Sequence, residues 1–410
     1  MKNTKLKFTD IMLILGIILQ DAGNLNIFPF DIFKMIILIV FCYYLFKYII
    51  IQKKLPKIPL TFFVIFIYIS IVTLLNLYNS SSIQNILFLI IEIITFIFYC
   101  HDQKNYNRIY KVLYVSAFIL SLYGIIQVIA YQFGLRSIYD ITLYNFNRNA
   151  NYLHAGRSNS LYSEPAHLCA ILASGFFIGL VNRKKVEYTK SYKPLIILIY
   201  SLLTFSTLVY ISITIFLLYY LINIKKLNSK KTLIAIITFL LLGSVFLYYN
   251  QDFVETSIYK AYSLINPDSY SVDDQTGYAI VSNIKIASLK MRDGYIFGTG
   301  LYSHQIYYRE YFYQIYNGGL MINYVDAASL FTRIFSELGI VGLVAFLMFL
   351  IRKIIKNSRT NKNMIFIIIL LILEGMRIGH YANILIALPL TILLMNGIKI
   401  TEGDEKNEKD

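Results

Sequence analysis

Arg157, Glu164, Pro165 and His167 crowd the start of an apolar run, RSNSLYSEPAHLCAIL, in a chain rich in isoleucine, leucine, phenylalanine and tyrosine. An arginine in such a place can hold a phosphate through charge-assisted, often bidentate bonds. A carboxylate there can take up a proton. Part of the pattern is local. Pro165 suits the first turn of a helix, where its missing N–H does no harm, and Glu164 faces the positive end of the helix dipole. A well-made helix start leaves Arg157 and the nearby His154 and His167 unexplained.

Three further groups have spacings that favour chemistry. Asp326, Ser329, Arg333 and Glu337 are offset by three, seven and eleven residues, which puts them on one stripe of a helix. Glu374, Arg377 and His380 follow at three-residue steps, and Lys285, Lys290, Arg292 and His304 share one polar stretch. Two of these sets have a plain structural reading: Arg333 with Glu337, and Glu374 with Arg377, as ion pairs across one helical turn. Arginines converging in a low-dielectric cleft suit a phosphate or diphosphate. No P-loop, GxGxxG or paired loop carboxylate is present, so neither a nucleotide nor a metal site is expected, and no cofactor. Cys42, Cys100 and Cys169 are isolated and read as small apolar side chains.

The elements that must position these residues are membrane helices. The chain of 410 residues is 57% hydrophobic and only 15% charged, with a mean hydropathy of +0.59. Long apolar runs recur from end to end, as in an all-α polytopic membrane protein with about twelve transmembrane helices. They fall near 8–20, 30–51, 60–77, 84–100, 109–131, 166–182, 195–206, 208–224, 232–249, 327–351, 364–379 and 382–398. The N-terminus has a basic-then-apolar shape without a small-residue cleavage site and reads as a retained first helix. The run 195–224 splits in two because basic loops flank it on both sides, NRKKVEYTKSYK before and KKLNSKK after.

With both termini cytoplasmic, cytoplasmic segments hold 27 of the 38 Lys and Arg. The formal charge of +15 is thereby a topology signal rather than a nucleic-acid footprint. Residues 1–398 form a single integral membrane domain and 399–410 a solvated cytoplasmic tail. Two long connections, 132–165 and 250–326, are external, and long loops on one face of a bundle are usually functional. In the second, YAIVSNIKIASLK has helical spacing and is expected to lie on the membrane surface, and DGYIFGTG reads as a glycine turn. The groups at Asp326–Glu337, Glu374–His380 and Lys285–His304 all fall on this face, with few such groups on the other, and favour a polar cavity opening outward.

At these residues the sequence resembles bacterial O-antigen and capsular polysaccharide polymerases of the Wzy type, relatives of the O-antigen ligases. Arg157 with SLYSEPAHLCAIL is similar to the family's arginine followed by an aromatic–x–Glu–Pro–Ser/Ala helix entrance. IFGTG at 296–300 resembles its glycine turn in the large external loop. SLFTRIFSELGIVGL at 329–343 resembles the leucine-rich helix with Glu–x–Gly–x–x–Gly that follows. The likeness covers roughly residues 140–350. The His–Asn pair common in ligases nine residues before that glutamate is Ala328–Ser329 here, and the family's arginine upstream of the glycine turn is matched only by Lys285, Lys290 or Arg292.

The resemblance implies a metal-independent, GT-C-like membrane glycosyltransferase in the bacterial plasma membrane, making O-antigen lipopolysaccharide, capsule or exopolysaccharide. The donor would be a glycan on undecaprenyl diphosphate and the acceptor a lipid-linked repeat unit, with a chain-length regulator as a further partner. Attack by an acceptor hydroxyl would expel the lipid diphosphate. Cations would stabilise the leaving group, namely Arg157, helped by Arg377 and Arg292, with Lys285, Arg333 and His380 around the substrate. Glu164, then Asp326 and His304, are the base candidates, Glu164 having the alternative role of orienting Arg157. Tyr162, Tyr302 and Tyr324 are candidates to stack on sugars. A lipid-linked oligosaccharide flippase, or a ligase, is the competing expectation; a flippase is expected to show two related halves, and none is visible here.

Overall fold

A computed structural model gives the fold. It describes residues 6–21, 32–56, 58–75, 80–102, 107–140, 157–181, 192–223, 255, 275–315, 321–357 and 362–395. Every regular element among the described residues is a helix. In lipid a backbone can satisfy its polar groups only within its own helix or in a closed barrel, and these runs take the first course.

The first half contains α1 (Phe8–Leu19), α2 (Ile32–Leu45, continued by a wider turn to Ile51), α3 (Leu60–Leu74), α4 (Ser80–His101), α5 (Asn107–Gln132) and the short α6 (Arg136–Tyr139). A 3-10 turn, Pro165–Leu168, leads into α7 (Cys169–Val181), followed by α8 (Lys193–Leu203) and α9 (Thr207–Asn223). The second half contains α10 (Gln275–Arg292), α11 (His304–Ile315), α12 (Leu330–Asn357), α13 (Lys362–Gly375) and α14 (Ile384–Leu394).

Every expected apolar span falls on one of these helices except 232–249, which lies outside the described residues. Four stretches are long and apolar enough to cross a membrane: Ile32–Ile51, Ile83–His101, Asn107–Gln132 and Leu330–Lys356. The chain is a helical membrane protein. The other apolar helices run to 10–17 residues. The split of 195–224 is present: Phe205 takes a left-handed φ of 43° between α8 and α9, and Thr204 Oγ1 donates to Ser201 O at 2.7 Å.

α5 is central and packs on α1, α7 and α8, while α7 also packs on α9 and α13. Gly175 of α7 permits this, since a Cβ there would lie 2.2 Å from the Ala117 Cβ of α5. Phe177, Phe216 and Phe366 join α7, α9 and α13, with centroids 5.2–5.4 Å apart. α10 is helical as expected, but it packs against α12 and α11 and buries Tyr278 and Ala279 completely.

One end of the bundle is closed by an ion-pair knot. Arg108 at the start of α5 donates to both oxygens of fully buried Asp10 in α1, at 2.9 and 2.8 Å. Tyr99 adds a third donor at 3.0 Å, and Lys7 and Lys47 flank Asp102 just beyond α4. Removing one partner of such a pair costs about 3–5 kcal/mol, because the other charge is left buried and bare. The candidate site gathers at the opposite end.

Candidate functional site

The stretch from Arg157 to His167 is threaded into the helix ends. Ser158 N–H donates to Leu203 O at 3.3 Å and Ser158 Oγ to Gln127 Oε1 at 3.0 Å. Ser160 takes a left-handed φ of 50°, and its N–H and hydroxyl bond Gln127 Oε1 (3.0 Å) and Leu120 O (2.7 Å) of α5. Tyr162 is fully buried and donates to Ile17 O at 2.7 Å, so it belongs to the frame and not to a sugar platform. These anchors aim the next residues, Ser163 to His167, at the helix ends around them.

Glu164 meets Arg377, which lies just past the end of α13 and 213 residues away in sequence; a carboxylate oxygen accepts from Arg377 Nη2. Burial pushes the Glu164 carboxyl up, but Arg377 and His167 outweigh it and hold the group below the usual carboxylate range. Asp21, beyond the end of α1, faces the same place. Its Oδ2 accepts from the Ser163 N–H (2.7 Å) and hydroxyl (2.5 Å) and lies 3.0 Å from His167 Nδ1. Glu374, fully buried at the end of α13, accepts from Asn383 Nδ2 at 3.1 Å. Asn383 Oδ1 in turn caps α14 through Leu385 N–H at 2.8 Å.

The second part of the cluster centres on Arg333, almost wholly buried in the first turns of α12. Its Nε donates to Glu337 Oε1 at 3.1 Å and its Nη1 to Gly379 O at 3.0 Å. The guanidinium carbon lies 4.8 Å from the Tyr302 ring centre and 5.0 Å from that of Tyr381. His380, which is exposed, bridges the two parts. Its Nδ1 is 3.4 Å from Arg333 Nη1, and it is within electrostatic reach of Asp326, Asp21 and His167.

Behind Arg333, the two glycine motifs form one unit. α12 is broken at Gly339 (φ 68°, ψ −176°), a conformation essentially restricted to glycine. The break exposes Glu337 O, which accepts from Thr299 N–H (3.0 Å) and Gly300 N–H (2.9 Å) of the turn. Gly298 (φ 83°) packs so closely that a Cβ would lie 2.5 Å from Gly339 N. Lys290 lies beneath, donating to Thr299 Oγ1 at 2.6 Å and Ser336 O at 2.8 Å. Burial lowers Lys290 to about 7, against the opposing pull of Glu337 and Glu310.

The expected residues thus separate. Glu164, Arg377 and His380 come together at the helix ends. Asp326 is nearby, half-buried, but it precedes α12 and does not continue its stripe: Oδ1 accepts from Ala328 N–H at 3.1 Å. Arg333 and Glu337 do pair across a turn, whereas Arg377 pairs with Glu164 and not with Glu374. Arg333, expected to touch substrate, is enclosed by its two tyrosines and so positions its neighbours. His304, expected as a base, is fully buried with both nitrogens engaged, Nδ1 with Ser336 Oγ (2.8 Å) and Nε2 with Asn283 Oδ1 (2.7 Å). Burial, then Lys290 and Arg333, push its pKa well down, so it is neutral.

Arg157 is half-buried and within electrostatic reach of Tyr210 of α9, and the arginine that grips Glu164 is Arg377. Arg292 is exposed and 3.6 Å from its neighbour Asp293. Lys285 is half-buried on α10. Tyr324 stands against Tyr308, 6.0 Å between centroids, and under Arg309.

Three groups were missed. Asp21 is an ordinary helix-end residue in sequence. Asn383 looks like a cap. Glu92 sits mid-way along α4, fully buried, near enough to Tyr302 to influence it, and its carboxyl oxygens have no hydrogen bond among the described residues. A charged residue inside an apolar run was the available signal for Glu92. Among the described residues no group of three or more His, Cys, Asp or Glu is arranged to hold a metal. The chain matches no family model, no curated protein and no solved structure.

Proposed function

We propose that this protein is a polysaccharide polymerase, joining lipid-diphosphate-linked repeat units at the outer face of a bacterial plasma membrane. The observation that carries the reading is the polar seam from Asp21 through Glu164 and Arg377 to His380, set at the end of the helical bundle opposite the Asp10–Arg108 pair. A diphosphate on a lipid anchor matches such a seam: its chain remains among apolar helices while its head meets a guanidinium. In this reading Arg377 takes the leaving diphosphate and Glu164 holds Arg377 in place. Arg333 and its tyrosines fix His380. Arg157, Lys285 and Arg292 extend the cationic surface toward the glycan. Twelve spans, cytoplasmic termini, external large loops and GT-C-like chemistry belong to the same proposal.

Deleting the gene tests it. A polymerase deletion loses long polysaccharide and accumulates single lipid-linked repeat units in the outer leaflet. Accumulation in the cytoplasmic leaflet would identify a flippase. Full-length polymer still on its carrier would identify a ligase. Either result overturns the polymerase reading.

A further inference from the structure

Glycosyl transfer needs a group that takes the proton of the attacking hydroxyl, and the expected bases are otherwise engaged. Glu164 holds Arg377. His304 is buried with both nitrogens bonded. Asp326 accepts a backbone N–H in its own turn. His167 is different. Asp21 Oδ2, 3.0 Å from His167 Nδ1, already accepts the N–H and O–H of Ser163, which marks it as an ionised acceptor. Ser163 Oγ is also 3.0 Å from His167 Nδ1, but its hydrogen goes to Asp21 Oδ2, so the imidazole hydrogen is on Nδ1, facing these two acceptors, and the lone pair is on Nε2.

Resting on the polymerase reading, we propose that His167 is the catalytic base and Asp21 its positioning residue. The acceptor hydroxyl oxygen forms its bond to the anomeric carbon while its proton passes to His167 Nε2. The anomeric C–O bond to the diphosphate breaks, its electron pair staying on the phosphate oxygen beside Arg377. The imidazolium then releases its proton to water. The surroundings suit that charge. Asp21 faces His167 from the end of α1, Glu164 from the preceding loop and Glu374 from α13; Arg377 opposes them from beyond α13, and His380 lies before α14. Glu164 and Arg377 pair with each other, and Asp21 is the carboxylate in contact with the imidazole. His380 has Arg333 against its Nδ1 and, among the described residues, no carboxylate within hydrogen-bond distance.

The test uses the purified full-length protein with lipid-linked glycans extracted from cells that lack it, and follows kcat and KM from acid to alkaline pH. His167→Gln is expected to lose about 100-fold or more in kcat, within the range for general base catalysis, with donor KM little changed and the acid limb of the pH profile abolished. The near-isosteric Asp21→Asn is expected to lower kcat and move the acid limb to lower pH, since the imidazolium loses its counter-charge. Added imidazole is expected to restore turnover to His167→Ala. Wild-type kcat and an intact acid limb in His167→Gln overturn the base while leaving polymerisation standing. An unmoved limb in Asp21→Asn overturns the dyad even where His167 variants do not fold. A wild-type protein that joins no repeat units overturns the polymerase reading itself.

Discussion

Replacing Gly339 with alanine separates the glycine turn from α12, and the structure gives the size of the effect. A Cβ at Gly339 would lie 2.0 Å from Ile296 O and 2.5 Å from Gly298 N. The turn must withdraw, which breaks the bonds from Thr299 and Gly300 to Glu337 O. Each net hydrogen bond is worth about 1 kcal/mol, and a non-glycine residue in this backbone region costs a further ~1–3 kcal/mol. The expected loss is about 3–5 kcal/mol. Movement of Glu337 also releases Arg333, so activity per folded molecule falls as well. Equilibrium unfolding in detergent measures the first effect, with Val344→Ala on the same helix as the lipid-facing control. A Gly339→Ala protein within about 0.5 kcal/mol of wild type, the range of ordinary surface changes, would refute the docking of turn on helix.

Other outcomes follow from the same contacts. The Lys290 ammonium, lowered to about 7 from 10.5, binds its proton more weakly folded than unfolded, so stability should rise between these two pH values, and Lys290→Met should flatten that slope in unfolding titrations. The Glu164 carboxyl is held below its ordinary 4.5; its contribution is present above that pH and lost as pH falls through the folded value. Glu164→Gln should accordingly destabilise the protein at neutral pH and have little effect in strong acid, read by the same assay. Glu92→Leu should raise unfolding free energy by about 1–3 kcal/mol, the cost of burying a polar group without partners.

Much of the frame was legible because it is periodic and local. Apolar runs marked the helices, opposed basic loops split 195–224, and IFGTG and ELGIVG were each visible as glycine motifs. Arg333 and Glu337 were readable as a pair because four residues make one helical turn. The site was legible as residue types and not as partnerships. Glu164 and Arg377 are 213 residues apart, and Asp21 and His167 are 146 apart. Helix packing brings them together, and no local spacing encodes it. For the same reason Arg377 looked like a partner for Glu374, three residues away, and His304 looked available until packing buried it. Arg157 drew attention by its neighbours in sequence, while Glu164 pairs with Arg377.

The most direct measurement incubates the purified protein in detergent with the lipid-linked glycans that accumulate in its absence, following glycan length and free lipid diphosphate together. One lipid diphosphate is expected to be released for each repeat unit joined, with Arg377→Lys releasing far less. Glycans that remain single units, with no lipid diphosphate set free, would contradict the polymerase reading.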